Sequence, residues 1–149
     1  MILLDANAVI YYLHDVEPYS SEVEKVITER EDLSVTLRIV DEVLFTLLRL
    51  EAWRRQGIRR VDDFKAYIRK HGLKELEGVV KDVEEFIYKF NIQVLEDKSD
   101  IVELLDAIRN FNLLPGDALI AVTAKSYGID TILTFDEDFK RVPWLRVIP

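Results

Sequence analysis

This chain of 149 residues has no cysteine, one methionine, five glycines and four prolines. Without cysteine it cannot form a disulfide framework, a thiolate nucleophile or a thiolate metal site. Only two histidines are present. His14 follows Tyr12-Leu13, and His71 sits among Arg69, Lys70 and Gly72. Both read as helix-end residues, and a zinc site is disfavoured. No uninterrupted apolar run approaches the ~20 residues needed to cross a bilayer. Asp5 interrupts the opening Met1-Ile2-Leu3-Leu4 at once, and no basic segment precedes it, so no signal peptide is expected. A soluble cytoplasmic protein without a membrane partner is the expectation. No repeat, low-complexity segment or linker is visible.

Apolar residues make up 49% of the chain and charged residues 32%, with 28 Asp+Glu against 20 Lys+Arg and a net charge of -8. Such apolar content argues against intrinsic disorder. The length suits one domain, 1–149, burying roughly 70% of the surface its unfolded form exposes. The acidity argues against a protein that simply coats nucleic acid, which needs many cations on phosphates. It leaves room for an enzyme that reaches phosphates through metal ions. The scarcity of Asn (four) and Gln (two) beside abundant Glu, Lys and Arg is a weak signature of heat adaptation. Charge is unevenly spread. From Arg49 to Lys74 nine cations face three acids, a stretch of +6 that leaves -14 for the remainder.

Short apolar, β-branched runs alternate with helical periods. Strands are predicted at Ile2 to Leu4, Leu33 to Val35, Ile92 to Leu95, Thr131 to Phe135 and Leu145 to Ile148. Asn7 is a candidate cap for a short helix through Leu13, and Ser21 with Glu24 for a capping box on a helix to about Arg30. Thr36 caps a helix from Leu37, where apolar residues recur at 37, 40, 44, 47 and 48, and Gly57 ends it. A further helix starts at Asp62 or Asp63 and stops at Gly72. Others run from Val79 to Phe90, from Ser99 to about Phe111, and from a Pro115-Gly116-Asp117 turn to Gly128. The alternation favours a parallel sheet covered on both faces. The region 51–91 reads as a helical arm inserted between the second and third strands.

Several acids fall where such a sheet binds ligands, beyond the carboxyl ends of its strands. Asp5 follows the first strand, Asp136 the fourth, and Asp138 stands two residues on. Asp117 begins a helix, and Glu42 lies early in the Leu37 helix. Each has an ordinary reading. Asp117 is a cap or first-turn acid, Asn7 a cap, and Asp136 and Asp138 are turn residues. Glu42 is four residues after Arg38, at ion-pair spacing. Only Asp5, directly after three apolar strand residues, is poorly placed for mere solubility. Together the acids need compensation, since two carboxylates 4 Å apart repel by about 4 kcal/mol at an effective dielectric near 20. A hard divalent cation supplies it through oxygen ligands.

Four segments occur in order: Asp5-Ala6-Asn7; Val40-Asp41-Glu42-Val43-Leu44; Pro115-Gly116-Asp117-Ala118-Leu119-Ile120-Ala121; and Leu133-Thr134-Phe135-Asp136-Glu137-Asp138-Phe139. The chain thereby resembles the PIN-domain family, especially its VapC-like toxin branch, over essentially its whole length. The resemblance implies a three-layer α/β sandwich with a five-stranded parallel sheet of order 3-2-1-4-5. It implies a Mg²⁺- or Mn²⁺-dependent ribonuclease, often dimeric and often held inactive by a small antitoxin. By position, Asp5, Glu42 and Asp117 match the family's three main acids and Asp136 the fourth, with Asp138 second choice for that place. Asn7 and Thr134 match polar positions behind them. The 51–97 region is longer and more basic than in a minimal member.

On this reading the four acids hold one or two ions, and metal-activated water hydrolyses an RNA phosphodiester. Arg38, Arg49, Arg54, Arg55, Arg59 and Arg60 are candidate RNA contacts, against an ordinary reading as a solvated helical face. Trp53, Phe64 and Tyr67 are expected to pack the arm or a subunit interface rather than to stack bases. Two alternatives stand beside the nuclease. One is a non-catalytic module of the same fold that binds nucleic acid or protein; the other is a different Mg²⁺-dependent phosphoester hydrolase.

Overall fold

β1 (Ile2–Leu4) lies at the centre of the molecule, paired in parallel with β2 (Leu33–Thr36) on one side and β4 (Thr131–Leu133) on the other. A computed structural model describes residues 1–149. β3 (Gln93–Leu95) extends the sheet beyond β2, and β5 (Arg146–Ile148) beyond β4. The order is β3-β2-β1-β4-β5, all parallel. Leu3, Leu4, Ile132 and Leu133 have no measurable exposure, as expected of central strands covered on both faces. Each such side chain contributes about 1.5–3 kcal/mol through burial.

α1 (Ala6–Leu13) and α2 (Tyr19–Glu29) connect β1 to β2. α3 (Leu37–Gln56), α4 (Val61–His71), a 3₁₀ turn at Lys74–Leu76 and α5 (Glu77–Lys89) connect β2 to β3. α6 (Ile101–Phe111) and α7 (Pro115–Ser126) lead back across the sheet to β4, and a 3₁₀ turn at Glu137–Arg141 leads to β5. α1 packs on α2 and α3, α3 on α5, and α6 on α7. Right-handed crossovers put these two groups on opposite faces. The order of strand addition reverses between β1 and β4, so a crevice opens at their carboxyl ends.

The main core joins 30 buried residues, drawn from β1 to β4 and from α1, α2, α3, α5, α6 and α7, with Val147 and Ile148 of β5 partly buried against it. A second, small core holds Ala52, Phe64 and Leu76, with Leu48, Ile58, Tyr67 and Ile68 packed around it. It ties α4 to the distal half of α3. Val83 and Phe86 of α5 belong to the main core, so the protruding part of the 51–91 region is its first half.

Local chemistry differs from expectation at several element ends. α1 begins at Ala6, and Asn7 lies inside it with its side chain turned to Thr134 and Phe135 instead of capping. α2 starts at Tyr19, so Ser21 is already within the helix. Its N–H and hydroxyl both donate to Glu17, at 3.3 and 2.8 Å, and the Ser21–Glu24 box does not form. Pro115 is the first residue of α7 rather than a turn, a position where its missing N–H costs nothing. α4 starts at Val61, with Asp62 and Asp63 as first-turn acids. Asp100, not Ser99, caps α6, accepting from the Glu103 N–H at 2.8 Å. β4 ends at Leu133, two residues early: the Thr134 N–H still donates to the Ile148 carbonyl at 3.0 Å, but the Phe135 N–H donates to the Asn7 side chain instead of a strand partner. Thr36 does cap α3, accepting from the Ile39 N–H at 3.2 Å. Gly57 ends α3 at φ 68°, a left-handed conformation that glycine adopts without strain.

Candidate active site

Asp5 leaves the end of β1 into the crevice and is only 6% exposed. Its N–H donates to the Leu133 carbonyl at 3.0 Å, continuing the β1–β4 ladder by one residue. The ladder thus fixes where its carboxylate points. Thr134, on the neighbouring strand's extension, donates its hydroxyl to Asp5 Oδ2 at 2.6 Å. That hydroxyl oxygen accepts from Asn7 Nδ2 at 3.1 Å and from the Asp136 N–H at 3.0 Å. Asn7 Oδ1 accepts from the Phe135 N–H at 3.2 Å. The amide and the hydroxyl therefore lock each other and present one donor to one carboxylate.

Burial pushes the Asp5 carboxyl up to about 6. The hydrogen bonds from Thr134 and from the Ala6 N–H oppose that rise, and the charges of Glu42 and Asp117 add to it. Asp117, in the first turn of α7 and half-buried, is also raised to about 6. Burial leads here too, followed by the charges of Asp136, Glu42 and Asp138, while Arg38 pulls the other way. Two carboxyls on elements 112 residues apart thus sit in one negative field, with Glu42, Asp136 and Asp138 around them. Carboxyls in such a field are held back from ionising unless a cation joins them.

The surrounding acids also have partners. Glu42 lies 3.7 Å from Arg38. Asp136 caps the 3₁₀ turn, accepting from the Asp138 N–H at 2.8 Å, and Asp138 pairs with Arg141 at 3.0 Å. As the side chains stand, no three His, Cys, Asp or Glu groups converge closely enough to ligate one ion. The donor set is nonetheless all carboxylate oxygen, the chemistry of hard divalent cations. Mg²⁺ keeps several waters and needs only one or two direct carboxylates. The residues present fit such an ion.

Arg38 is the feature that sequence reasoning placed least well. Its N–H donates to the Asp97 carboxylate at 3.0 Å, and its guanidinium reaches Asp41 at 2.7 Å. Asp97, just beyond β3, thereby supplies an anion to the α3 N-terminus. The Arg38 guanidinium also lies across Gly116, where an added Cβ would meet it at 3.1 Å. Gly116 admits this close approach between α3 and α7, and it brings a positive charge beside Asp117. The one sequence signal was a glycine in the first turn of a helix.

Of the other candidate cations, Arg54 and Arg55 are committed to Glu51, holding its carboxyl well below the usual range. Arg49 and Arg59 instead border aromatic rings, and Arg60 precedes α4 as its N-cap residue. Phe64 and Tyr67 pack the arm as expected, but Trp53 remains 49% exposed. His14 and His71 stand at helix ends, as expected.

The class the geometry defines is a doubly wound α/β protein with one buried and one half-buried acid, each raised by the other acids around it, at the switch point. Residues 2–145 match the model of the PIN domain, and the chain belongs to the PIN-domain family. Ribonuclease VapC2 of Methanocaldococcus jannaschii is 34% identical over 99% of this chain and 92% of its own length. Among solved structures, VapC20 of Mycobacterium tuberculosis, described as a Sarcin-Ricin loop cleaving toxin, superposes with TM-score 0.64 at 12% identity, covering both chains entirely. A chain of VapBC2 from Rickettsia felis, bound to a promoter DNA fragment, gives TM-score 0.63 at 17% identity, covering 99% of this chain and 98% of its own. These two structures share the fold.

Proposed function

We propose that this protein is a Mg²⁺- or Mn²⁺-dependent endoribonuclease, the toxin of a toxin–antitoxin pair, acting in the cytoplasm as a homodimer that a small antitoxin restrains. The observation that carries this reading is the pair Asp5 and Asp117, both raised to about 6 by burial and by neighbouring acids at the switch-point crevice. Membership of the PIN-domain family and the 34% identity to a VapC ribonuclease support the same conclusion.

Asp5, Glu42, Asp117 and Asp136 would hold the ion. When bound, a divalent ion there supplies Lewis acidity to a phosphodiester and makes water a better nucleophile. The chain's own residues do the positioning. Thr134 and Asn7 hold the Asp5 carboxylate in one orientation. Asp117 and Glu42 set a negative field that excludes the substrate's phosphate until a cation is present. Arg38, beside Glu42 and Gly116, offers a guanidinium to a phosphate oxygen. Hydrolysis adds water across the P–O3′ bond, leaving a 5′-phosphate and a 3′-hydroxyl. No side-chain nucleophile takes part.

The test is cleavage of end-labelled RNA by the purified protein with Mn²⁺. The expected fragments carry 3′-hydroxyl ends, and cleavage stops with EDTA and in Asp117→Asn. A 2′,3′-cyclic phosphate product, or cleavage that survives EDTA, would overturn it.

A further inference from the structure

A groove of about 670 Å³ lies outside the acid cluster, along the distal half of α3. It is lined by Phe45, Arg49, Leu50 and Trp53 of α3 and by Ile58 and Arg59 of the following loop. Phe45 is 44% and Trp53 49% exposed. The Arg59 guanidinium sits 5.3 Å from the centre of the Trp53 ring, and that of Arg49 lies 5.8 Å from Phe45. Arg49 also donates to the Arg59 carbonyl at 2.7 Å, joining the two walls. No carboxylate lines this groove. Glu51 faces away, occupied by Arg54 and Arg55.

Helical spacing connects this groove to the acids. Glu42, Thr46, Arg49 and Trp53 fall at i, i+4, i+7 and i+11, one stripe of α3. At 1.5 Å per residue, Trp53 stands about 16 Å along the helix from Glu42, the reach of a few nucleotides.

The geometry points to this groove as a second contact for a single-stranded stretch of RNA: an unstacked base lies on Trp53 beside Arg59, and Arg49 and Arg59 meet the flanking phosphates. This rests on the ribonuclease reading and names the substrate class: RNA that is unpaired a few nucleotides from the scissile bond. Exposed aromatic faces bordered by guanidiniums that no carboxylate neutralises are what single-stranded nucleic acid requires. A second copy of this chain fits less well. A twofold contact through the groove would set Arg49 and Arg59 against their own counterparts.

The experiment titrates the full-length protein, in EDTA so that no RNA is cut, with a fluorescein-labelled 12-nucleotide single strand of mixed sequence. Trp53→Ala should weaken binding by about tenfold, and Trp53→Phe, which keeps a stacking face, should largely restore it. Arg49→Ala with Arg59→Ala should lower the slope of log affinity against log salt by about 1.4, or 0.7 per phosphate. Part of the wild-type tryptophan fluorescence should quench on binding and fail to do so in Trp53→Phe. A duplex of the same sequence should bind several-fold more weakly.

Unchanged affinity in Trp53→Ala, equal binding of duplex, or a dimer that Trp53→Ala converts to monomer would overturn the assignment and give the groove to a protein. Absence of RNA cleavage by the wild type with Mn²⁺, alongside intact quenching of Trp53, would overturn the ribonuclease reading alone.

Discussion

The hydroxyl of Thr134 reaches the carboxylate of Asp5 across 2.6 Å, although 129 positions separate the two residues in the chain. β1 and β4 run side by side, so their carboxyl ends bring the acid and its donor to the same level. This one bond opposes the burial and the neighbouring charges that hold the Asp5 proton in place.

Removing that donor should therefore raise the Asp5 pKa further. In Thr134→Val, whose shape is close to threonine's, cleavage near pH 7 should fall about 10- to 100-fold. The acid limb of the pH–rate profile should move to higher pH. Thr134→Ser keeps the hydroxyl and should stay close to wild type. A profile identical in all three would show that the hydroxyl is only a packing group.

The raised Asp5 pKa also fixes a sign for stability. Below about pH 4 the carboxyl is protonated in both folded and unfolded chains, and nothing is lost. Between pH 4 and 6 the unfolded chain ionises first, so stability falls as pH rises. Above pH 6 the full cost stands, about 3 kcal/mol for a shift of some two units. Asp5→Asn, measured without divalent ion, should melt several degrees above wild type near pH 7 and close to it near pH 4. The same variant should lose cleavage almost entirely.

Divalent ions should reverse that cost. Mn²⁺ at a hundredfold excess over its dissociation constant stabilises a protein it binds only when folded by about 2.7 kcal/mol. Melting in Mn²⁺ should rise by several degrees in wild type and hardly at all in Asp5→Asn combined with Asp117→Asn. Equal shifts in both proteins would place the ion elsewhere.

Arg38 should act against the ion. Its guanidinium lowers the Asp117 pKa and stands beside Glu42. Arg38→Ala should bind Mn²⁺ several-fold more tightly near pH 8, as read by paramagnetic resonance titration, while binding RNA more weakly. Weaker Mn²⁺ binding would mean that Arg38 holds the acids in place instead of competing for them.

The architecture was legible because its signals are local. Short β-branched strands alternating with helical periods specify a parallel sheet, and Thr36 and Gly57 mark the ends of α3 by their own chemistry. Asp5 stood out because an acid at the end of a buried strand has few structural excuses. Ser21 misled because a capping box looks the same wherever it falls, and Glu17 took its place through a helix that starts two residues earlier. The seating of Arg38 against Gly116 was not legible. It joins two helices 78 positions apart, and no periodicity encodes a side chain lying over a backbone. Trp53 escaped for a related reason. Its neighbours Phe64 and Tyr67 have a small core to enter, but that core is filled without it.

The central strand is the first in chain order, yet its flank is completed only by β4, more than a hundred residues later. A ribosome emitting this chain releases Asp5 129 residues before Thr134. Until that late segment emerges, the nascent polypeptide has no assembled crevice.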